Sequence, residues 1–405
     1  MQEYMLTIAE KDFVQSNLHV EVTALALQLG RFSNMDARKI LRQVAGYQVM
    51  KKKVPSWYDC PDLLFPASLS LEQCSSETTA RYKTSLCTSL GSIRTMADLT
   101  GGLGIDCTFM ADGREKVLYV ERQAELCELA RNNFKELGLP QIEVMNGDGP
   151  EILKTIDFFF DLIFLDPARR NLAGGKVVFL SDCEPDLTEV KPLLLSKATF
   201  VLVKLSPMLD ISMALKQLPE TAQIHVVSVD GECKELLFLL KSDVCTTEPE
   251  IHCVNIISNG MPQDFVFTGK EEQNAKCVYA ETPASYLYEP NASILKAGAF
   301  SMITKAFNVK KLHPNSHLYT SHQYLPDFPG RSFLIESFFH FHSKDLKQNL
   351  NGATKANITV RNFPNTVAEI RKKTGLKDGG EIFIFATTLN DGKKVFIRCR
   401  KPKNN

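Results

Sequence analysis

The sequence predicts an α/β protein: a mostly parallel sheet covered by helices on both faces, with a helical region before it and a small α+β domain after it. Two observations predict this. From about Thr95 the chain alternates short apolar runs with helix-like stretches such as "AELCELARNNFKELG", the pattern of strands buried on both faces. The run "ELLFLL" then follows "IHVVSVD" after only a few residues. That gap is too short for a crossover, so the last strand pairs antiparallel with its predecessor.

The elements follow in order. "AEKDFVQSNLHVEVTALALQL" and "NMDARKILRQVAGYQVM" carry apolar residues at helical spacing, the second with Asn34 as its cap. "KKKVPSW" is a proline-broken exit, and "SSETTARYKTSL" starts another helix capped by Ser75 or Ser76. The strands are "TMADLT", "KVLYVE", "IEVMNGD", "FFDLIFLD", "TFVLVKLS" and "IHVVSVD". "VNIISNGMPQDFVFTG" adds a strand pair turning through Asn259-Gly260. From about Tyr286, strands, the helix "TVAEIRKKTGL" and the hairpin "EIFIFATTLNDGKKVFIRCR" form the small α+β domain. The organisation read from this is a helical region 1–85, a sheet domain 86–285 and a third domain 286–405.

Composition narrows the function classes. With 405 residues, 44% hydrophobic and 23% charged, the chain has the make-up of a globular protein. No apolar run approaches the roughly 18 residues a membrane helix needs. The opening "MQEYMLTIAEKDF" is acidic where a signal peptide is basic and apolar. The eleven cysteines form no CxxC pair and no Cys/His cluster, which suits reduced thiols in the cytoplasm. "HFH" at His340 and His342 reads as a strand face, and no metal is expected. Net charge is zero, but from Ser301 onward 18 Lys and Arg face 7 Asp and Glu, about +11. A basic tail on an acidic body points to a polyanionic partner, nucleic acid, at the C-terminal domain, with a solvated basic surface as the alternative. The oligomeric state stays open.

The chemistry lies at the strand ends. "MADLTGGLGIDC" puts Asp98 at the end of the first strand and Gly102 and Gly104 in the turn. Beside a pyrophosphate an acid repels; beside an ammonium it attracts. Cys107 also stands where a dinucleotide fingerprint has a third small residue, so a dinucleotide oxidoreductase is disfavoured. Glu121 ends the second strand, placed to accept from ribose hydroxyls. Asp148 ends the third, placed to accept from an adenine amine. An amine, a ribose and an adenine across successive strand ends describe S-adenosylmethionine.

These residues give a resemblance. Asp98-x-x-x-Gly102-x-Gly104, Glu121, Asp148 and Asp166-Pro167 resemble the motifs of class I S-adenosylmethionine-dependent methyltransferases. That resemblance implies a Rossmann-like sheet of seven strands, the last antiparallel. "SSETTA", with Ser76, Glu77 and Ala80, is similar to the Thr-Pro-Glu-x-x-Ala helix of RNA cap and guanine methyltransferases, which adds Ser76 to the cofactor set. Through "EQCSSETTARYK", "DPARR", "KLSPMLD", "GECKELL" and "YLYEPNASILKAGAF" the chain resembles a little-characterised bacterial group. The group carries a ferredoxin-like segment and a THUMP-like domain at its C-terminus, and THUMP domains in relatives bind structured RNA.

Asp166-Pro167 resembles the corner with which amine methyltransferases hold an exocyclic base nitrogen, although Ala168 and Arg169 replace a proline and an aromatic. The catalytic set is Asp166, Pro167 and Arg169, with Arg169 stacking on the base or gripping a phosphate. Uracil-C5 methyltransferases share a similar corner but need a cysteine where Leu205 stands, so no covalent route exists here. Tyr286, Tyr288 and Phe300 stack on bases, and Asn291 and Lys296 contact phosphate, or the same segment packs one domain on another. Arg371 to Lys377 offers a further RNA contact. A non-catalytic RNA-binding protein retaining the cofactor fold, or a methyltransferase with a non-RNA substrate, are the alternatives.

Overall fold

A computed structural model describes residues 4–29, 35–169, 180–242, 248–258, 260–340, 342–350 and 352–402. The chain divides into two compact units, Met1–Ala222 with Leu236–Thr246, and Gln223–Glu235 with Thr247–Asn405.

The first unit opens with helices Ile8–Ser16, Val22–Leu29 and Ala37–Lys53, packed around Leu25, Ile40, Val44, Tyr47, Met50, Trp57 and Phe65. The sequence suggests one helix where the first two stand. Asn17 divides them: its side-chain amide donates to the Phe13 carbonyl at 2.7 Å, satisfying an acceptor that a continuing helix would need. Asp36 caps the third helix, accepting from the N–H groups of Arg38 and Lys39; Asn34, the residue expected there, lies outside the described residues. Ser76 caps helix Glu77–Ser89, accepting from the Thr79 N–H at 3.3 Å.

The sheet follows: β1 (Thr95–Asp98), β2 (Lys116–Glu121), β3 (Ile142–Asn146), β4 (Phe160–Leu165), β5 (Ala198–Leu205), β6 (Thr221–Val229) and β7 (Glu232–Lys241). Within the first unit the order is β7-β5-β4-β1-β2-β3. Each neighbouring pair is parallel except β5–β7, which is antiparallel; the short β6–β7 connection accounts for the reversed direction of β7 but not for its pairing with β5. Parallel pairing brings the carboxyl ends of β1 to β5 to one edge, where α/β sheets bind ligands.

The division between the units runs through the β6–β7 hairpin, and most of β6 is in the second unit. There the sheet departs from the expected seven strands. β8 (Glu250–Ile256) pairs parallel with β6, and β9 (Gln263–Thr268) antiparallel with β8. Asn259, in the turn between them, lies outside the described residues.

The second unit also holds a separate seven-stranded sheet: β10 (Tyr286–Pro290), β11 (Lys310–Lys311), β12 (Tyr319–Ser321), β13 (Gly330–His340), β14 (Asn357–Arg361), β15 (Phe383–Thr388) and β16 (Lys394–Arg400). Its order is β11-β12-β10-β13-β16-β15-β14. Helix Val367–Thr374 crosses between the parallel β14 and β15. Leu287, Phe333, Phe385 and Ile397 form one of its cores; Phe339, Ile370, Ile384 and Phe396 form another.

Candidate active site

The loops after β1, β2, β3 and β4 lie at the carboxyl ends of the strands, and hydrogen bonds from their backbone N–H groups link them. Asp98 ends β1 almost fully buried (1% exposed), and its Oδ1 accepts from the Thr100 N–H at 3.0 Å. Burial pushes its carboxyl well above the ordinary range, and the nearby Asp106, Asp166 and Glu121 push in the same direction. A cationic ligand close by would reverse that. The loop continues through Gly101, whose N–H donates to the Val120 carbonyl at 2.8 Å, and Gly102, whose N–H donates to Glu121 Oε2 at 2.9 Å. The Tyr119 hydroxyl donates to the Gly102 carbonyl at 2.5 Å. Gly104, in the left-handed region at φ 83°, precedes helix Ile105–Met110 and sits against the Phe134 ring.

The structure therefore brings together Asp98, Gly102, Gly104 and Glu121. Glu121 is engaged on both oxygens, Oε1 accepting from the Gln123 N–H at 2.8 Å, yet each oxygen keeps a second lone pair for a hydroxyl. Asp148 has other partners as well. Its Oδ1 caps helix Gly149–Thr155 through the Glu151 N–H at 3.1 Å. Its Oδ2 accepts from Arg122 Nε at 2.9 Å, while Arg122 Nη1 reaches Glu184 at 2.6 Å. Arg122 thus ties the loop after β3 to the segment after β4, a link that its place next to Glu121 does not announce.

Asp166 follows β4, half-buried, with Pro167 buried behind it. Its N–H donates to Thr100 Oγ1 at 2.6 Å, so one threonine joins the glycine loop to this corner. Its Oδ2 accepts from the Lys204 ammonium; among the described residues Oδ1 has no partner. Ala168 and Arg169 pair antiparallel with Cys183 and Glu184. The Arg169 side chain, and everything from Arg170 to residue 179, lies outside the described residues.

The sequence reading misses a cluster beneath Asp166. Lys204 Nζ donates to Ser75 Oγ at 3.1 Å and lies 3.7 Å from Asp106 Oδ2. Ser75 Oγ donates to Asp106 Oδ2 at 2.7 Å, and the wholly buried Lys83 lies 3.2 Å from Asp106 Oδ1. Burial alone would raise the Asp106 carboxyl, but the Lys83 and Lys204 ammoniums and the Ser75 hydroxyl hold it below its ordinary value. Ser75, not the capping Ser76, enters this cluster. Two signals were readable: Lys204 interrupts the apolar run of β5, and Lys83 occupies a core slot between Ala80 and Cys87 on its helix.

In the second unit, Tyr288 is buried and donates to the Gln323 carbonyl at 2.7 Å, and Asn291 caps helix Ala292–Ala297. Both are buried and serve packing, the alternative the sequence left open for this segment, so neither side chain is exposed to stack on a base or meet a phosphate. Arg371 is likewise occupied, bonding the Leu376 and Ala356 carbonyls and Asp378, whereas Lys372 and Lys377 are exposed. Among the described residues no helix is long and apolar enough to cross a membrane, and no group of three or more His, Cys, Asp or Glu could hold a metal.

Glu121→Ala is expected to weaken cofactor binding by about 1–3 kcal/mol, the scale for hydrogen bonds to a charged group. Titration calorimetry with the methyl donor or its demethylated product checks this, and unchanged affinity would remove Glu121 from the site.

Residues 286–329 match a family described as a ferredoxin-like domain, and residues 330–401 one described as THUMP domain-like. The chain is 34% identical to a protein of Porphyromonas gingivalis W83 proposed to be a methyltransferase, whose crystal structure superposes with a TM-score of 0.87. That match covers 98% of this chain and 100% of the other. Among curated proteins, 71 residues are 30% identical to a "Probable cobalt-precorrin-6B C(15)-methyltransferase (decarboxylating)" of Sulfolobus acidocaldarius. This stretch is 18% of the chain and spans only 37% of that protein's length.

Proposed function

The chain belongs to the class I S-adenosylmethionine-dependent methyltransferase group with a ferredoxin-like segment and a C-terminal THUMP-like domain, and on that footing we propose that it methylates RNA at an exocyclic base nitrogen. One observation carries the reading: Thr100 joins the glycine loop, the proposed cofactor site, directly to the Asp166-Pro167 corner, the proposed acceptor site. In this reading Asp98, Gly102, Gly104 and Glu121 hold the cofactor, with Asp148 and Ser76 at its margins. The glycine loop fits such a ligand, because a side chain at Gly102 would meet open space.

The cofactor supplies an already activated methyl group on a sulfonium, so the protein's task is alignment. Asp166 Oδ1 and a neighbouring backbone carbonyl accept the two hydrogens of an exocyclic amine and aim its lone pair at the methyl. Pro167 restricts the backbone so that both acceptors face the cleft. Arg169 is assigned to the base or its phosphate. The divisions 1–85, 86–285 and 286–405 are kept as functional parts, with RNA held by the basic third. A cytoplasmic location goes with this substrate and with the ten described cysteines, none of which is in a disulfide.

One observation favours a second acceptor, a ribose hydroxyl. Lys204 places a donor beside Asp166. A hydroxyl can donate to the carboxylate and accept from the ammonium while a second lone pair attacks; an amine has no lone pair to spare for the donor.

Transfer of labelled methyl from S-adenosylmethionine to total RNA, followed by nucleoside analysis, tests both. N2-methylguanosine or N6-methyladenosine is expected, and 2′-O-methylated nucleosides would select the second acceptor. 5-Methyluridine, 5-methylcytidine or unlabelled RNA would overturn the proposal.

RNA affinity is expected to fall steeply between low and moderate salt, because Lys and Arg release counterions from phosphates. Replacing Lys372 and Lys377 together by Glu should weaken binding and flatten the salt slope by about two. An unchanged slope in filter binding would remove this helix end from the RNA surface.

A further inference from the structure

We propose that Lys204 is a positioning residue for methyl transfer, aiming the Asp166 carboxylate from a buried frame made by Ser75, Asp106 and Lys83. The inference rests on the reading of Asp166 as the acceptor-holding group. β4 and β5 are parallel with Leu165 opposite Val203, so Asp166 and Lys204 continue the same register and present their side chains to the same face.

The frame is graded from inside to outside. Side-chain exposure is 0% for Lys83, 10% for Asp106, 14% for Lys204 and 38% for Asp166. Lys83 neutralises Asp106 in the interior. Ser75 Oγ and Asp166 Oδ2 accept hydrogen bonds from the Lys204 ammonium, and Asp106 attracts it as an ion pair at 3.7 Å. Together these contacts hold Nζ in place.

A carboxylate otherwise rotates broadly about its terminal bond. Pinning Oδ2 to a fixed ammonium removes that freedom and leaves Oδ1 turned to the acceptor. If the cluster served stability alone, apolar residues of similar size would do as well or better, since burying charge is costly. An ion pair whose outer member opens to a catalytic cleft is better accounted for by orientation, the largest contribution available when the donor is already activated.

The test measures turnover and acceptor binding of the full chain with Lys204→Met, Lys204→Arg and Ser75→Ala, each also combined with Asp166→Ala. Lys204→Met should lower kcat at least about tenfold and leave acceptor KM and cofactor Kd within about threefold, because alignment and not binding is lost. Lys204→Arg should recover part of the loss. With Asp166 already alanine, Lys204→Met should cost nothing further, since residues acting as one unit are not additive. Near-normal kcat in folded Lys204→Met, or equal losses with and without Asp166, would overturn the inference. If Lys204→Met does not fold, Ser75→Ala decides by the same comparison: a loss of kcat that disappears in the Asp166→Ala background supports it, and an equal loss in both backgrounds overturns it. No wild-type turnover on RNA would overturn the functional reading and this inference with it; wild-type turnover with an unaffected Lys204→Met strikes this inference alone.

Discussion

Asp166→Ala is expected to lower methyl transfer at least about tenfold, equivalent to about 1.4 kcal/mol of barrier, with cofactor affinity nearly unchanged. The separation follows from where its atoms point. The Asp166 N–H, which a substitution retains, makes the bond to Thr100 that joins the corner to the glycine loop. The side chain makes none of the loop's contacts; it meets Lys204 on one oxygen and leaves the other open among the described residues. Single-turnover methylation beside calorimetric cofactor binding checks the prediction. Full turnover in the variant would show that this corner serves the fold and not the chemistry.

The Lys204 contact also changes what Asp166→Asn should do. Taken alone, an amide oxygen still accepts from an amine, so Asn should approach wild type. Next to an ammonium, the single amide oxygen is drawn toward Lys204, and the NH2 group then faces the acceptor as a second donor. Asn should therefore fall nearer to Ala than to Asp.

Two adjacent glycines should fail in opposite ways. Gly101→Val is expected to destabilise the protein severely, because a Cβ at this position would lie 2.1 Å from the ring of Tyr119. Tyr119 is fully buried, so the overlap has no easy relief, and overpacking of this kind costs about 1–3 kcal/mol or more. Gly102→Val should abolish cofactor binding while the fold survives. Its φ of 55° disfavours a β-branched residue, but its Cβ meets only the Thr100 carbonyl, 3.9 Å away, and otherwise the space proposed for the ligand. Thermal melts and calorimetry on the two variants separate these outcomes. Full cofactor affinity in Gly102→Val would place the ligand elsewhere.

Apolar runs alternating with helical stretches dictate a parallel sheet, because a strand without a polar face must be covered on both sides. The short gap before "ELLFLL" dictates that β7 runs back against its predecessor β6; that β7 pairs with β5 is a long-range outcome the gap does not contain. That Asp98, Gly102, Gly104, Glu121 and Asp166 gather at one edge was legible for the same reason: each stands at or just after a strand's carboxyl end, and parallel strands bring such ends together. What sequence spacing could not supply is which side chains meet across elements far apart in the chain. Ser75, Lys83, Asp106, Asp166 and Lys204 come from two helices, the link before one of them and two strand ends, and only the packed fold brings them within bonding distance. Gly101 reads as an ordinary loop glycine until Tyr119, on the neighbouring strand, closes over it. Tyr288 looked available for RNA until the Gln323 carbonyl, far along the chain, took its hydroxyl. Strand ends are a local property of the chain; the partners of a buried charge depend on long-range contacts, and only tertiary structure decides them.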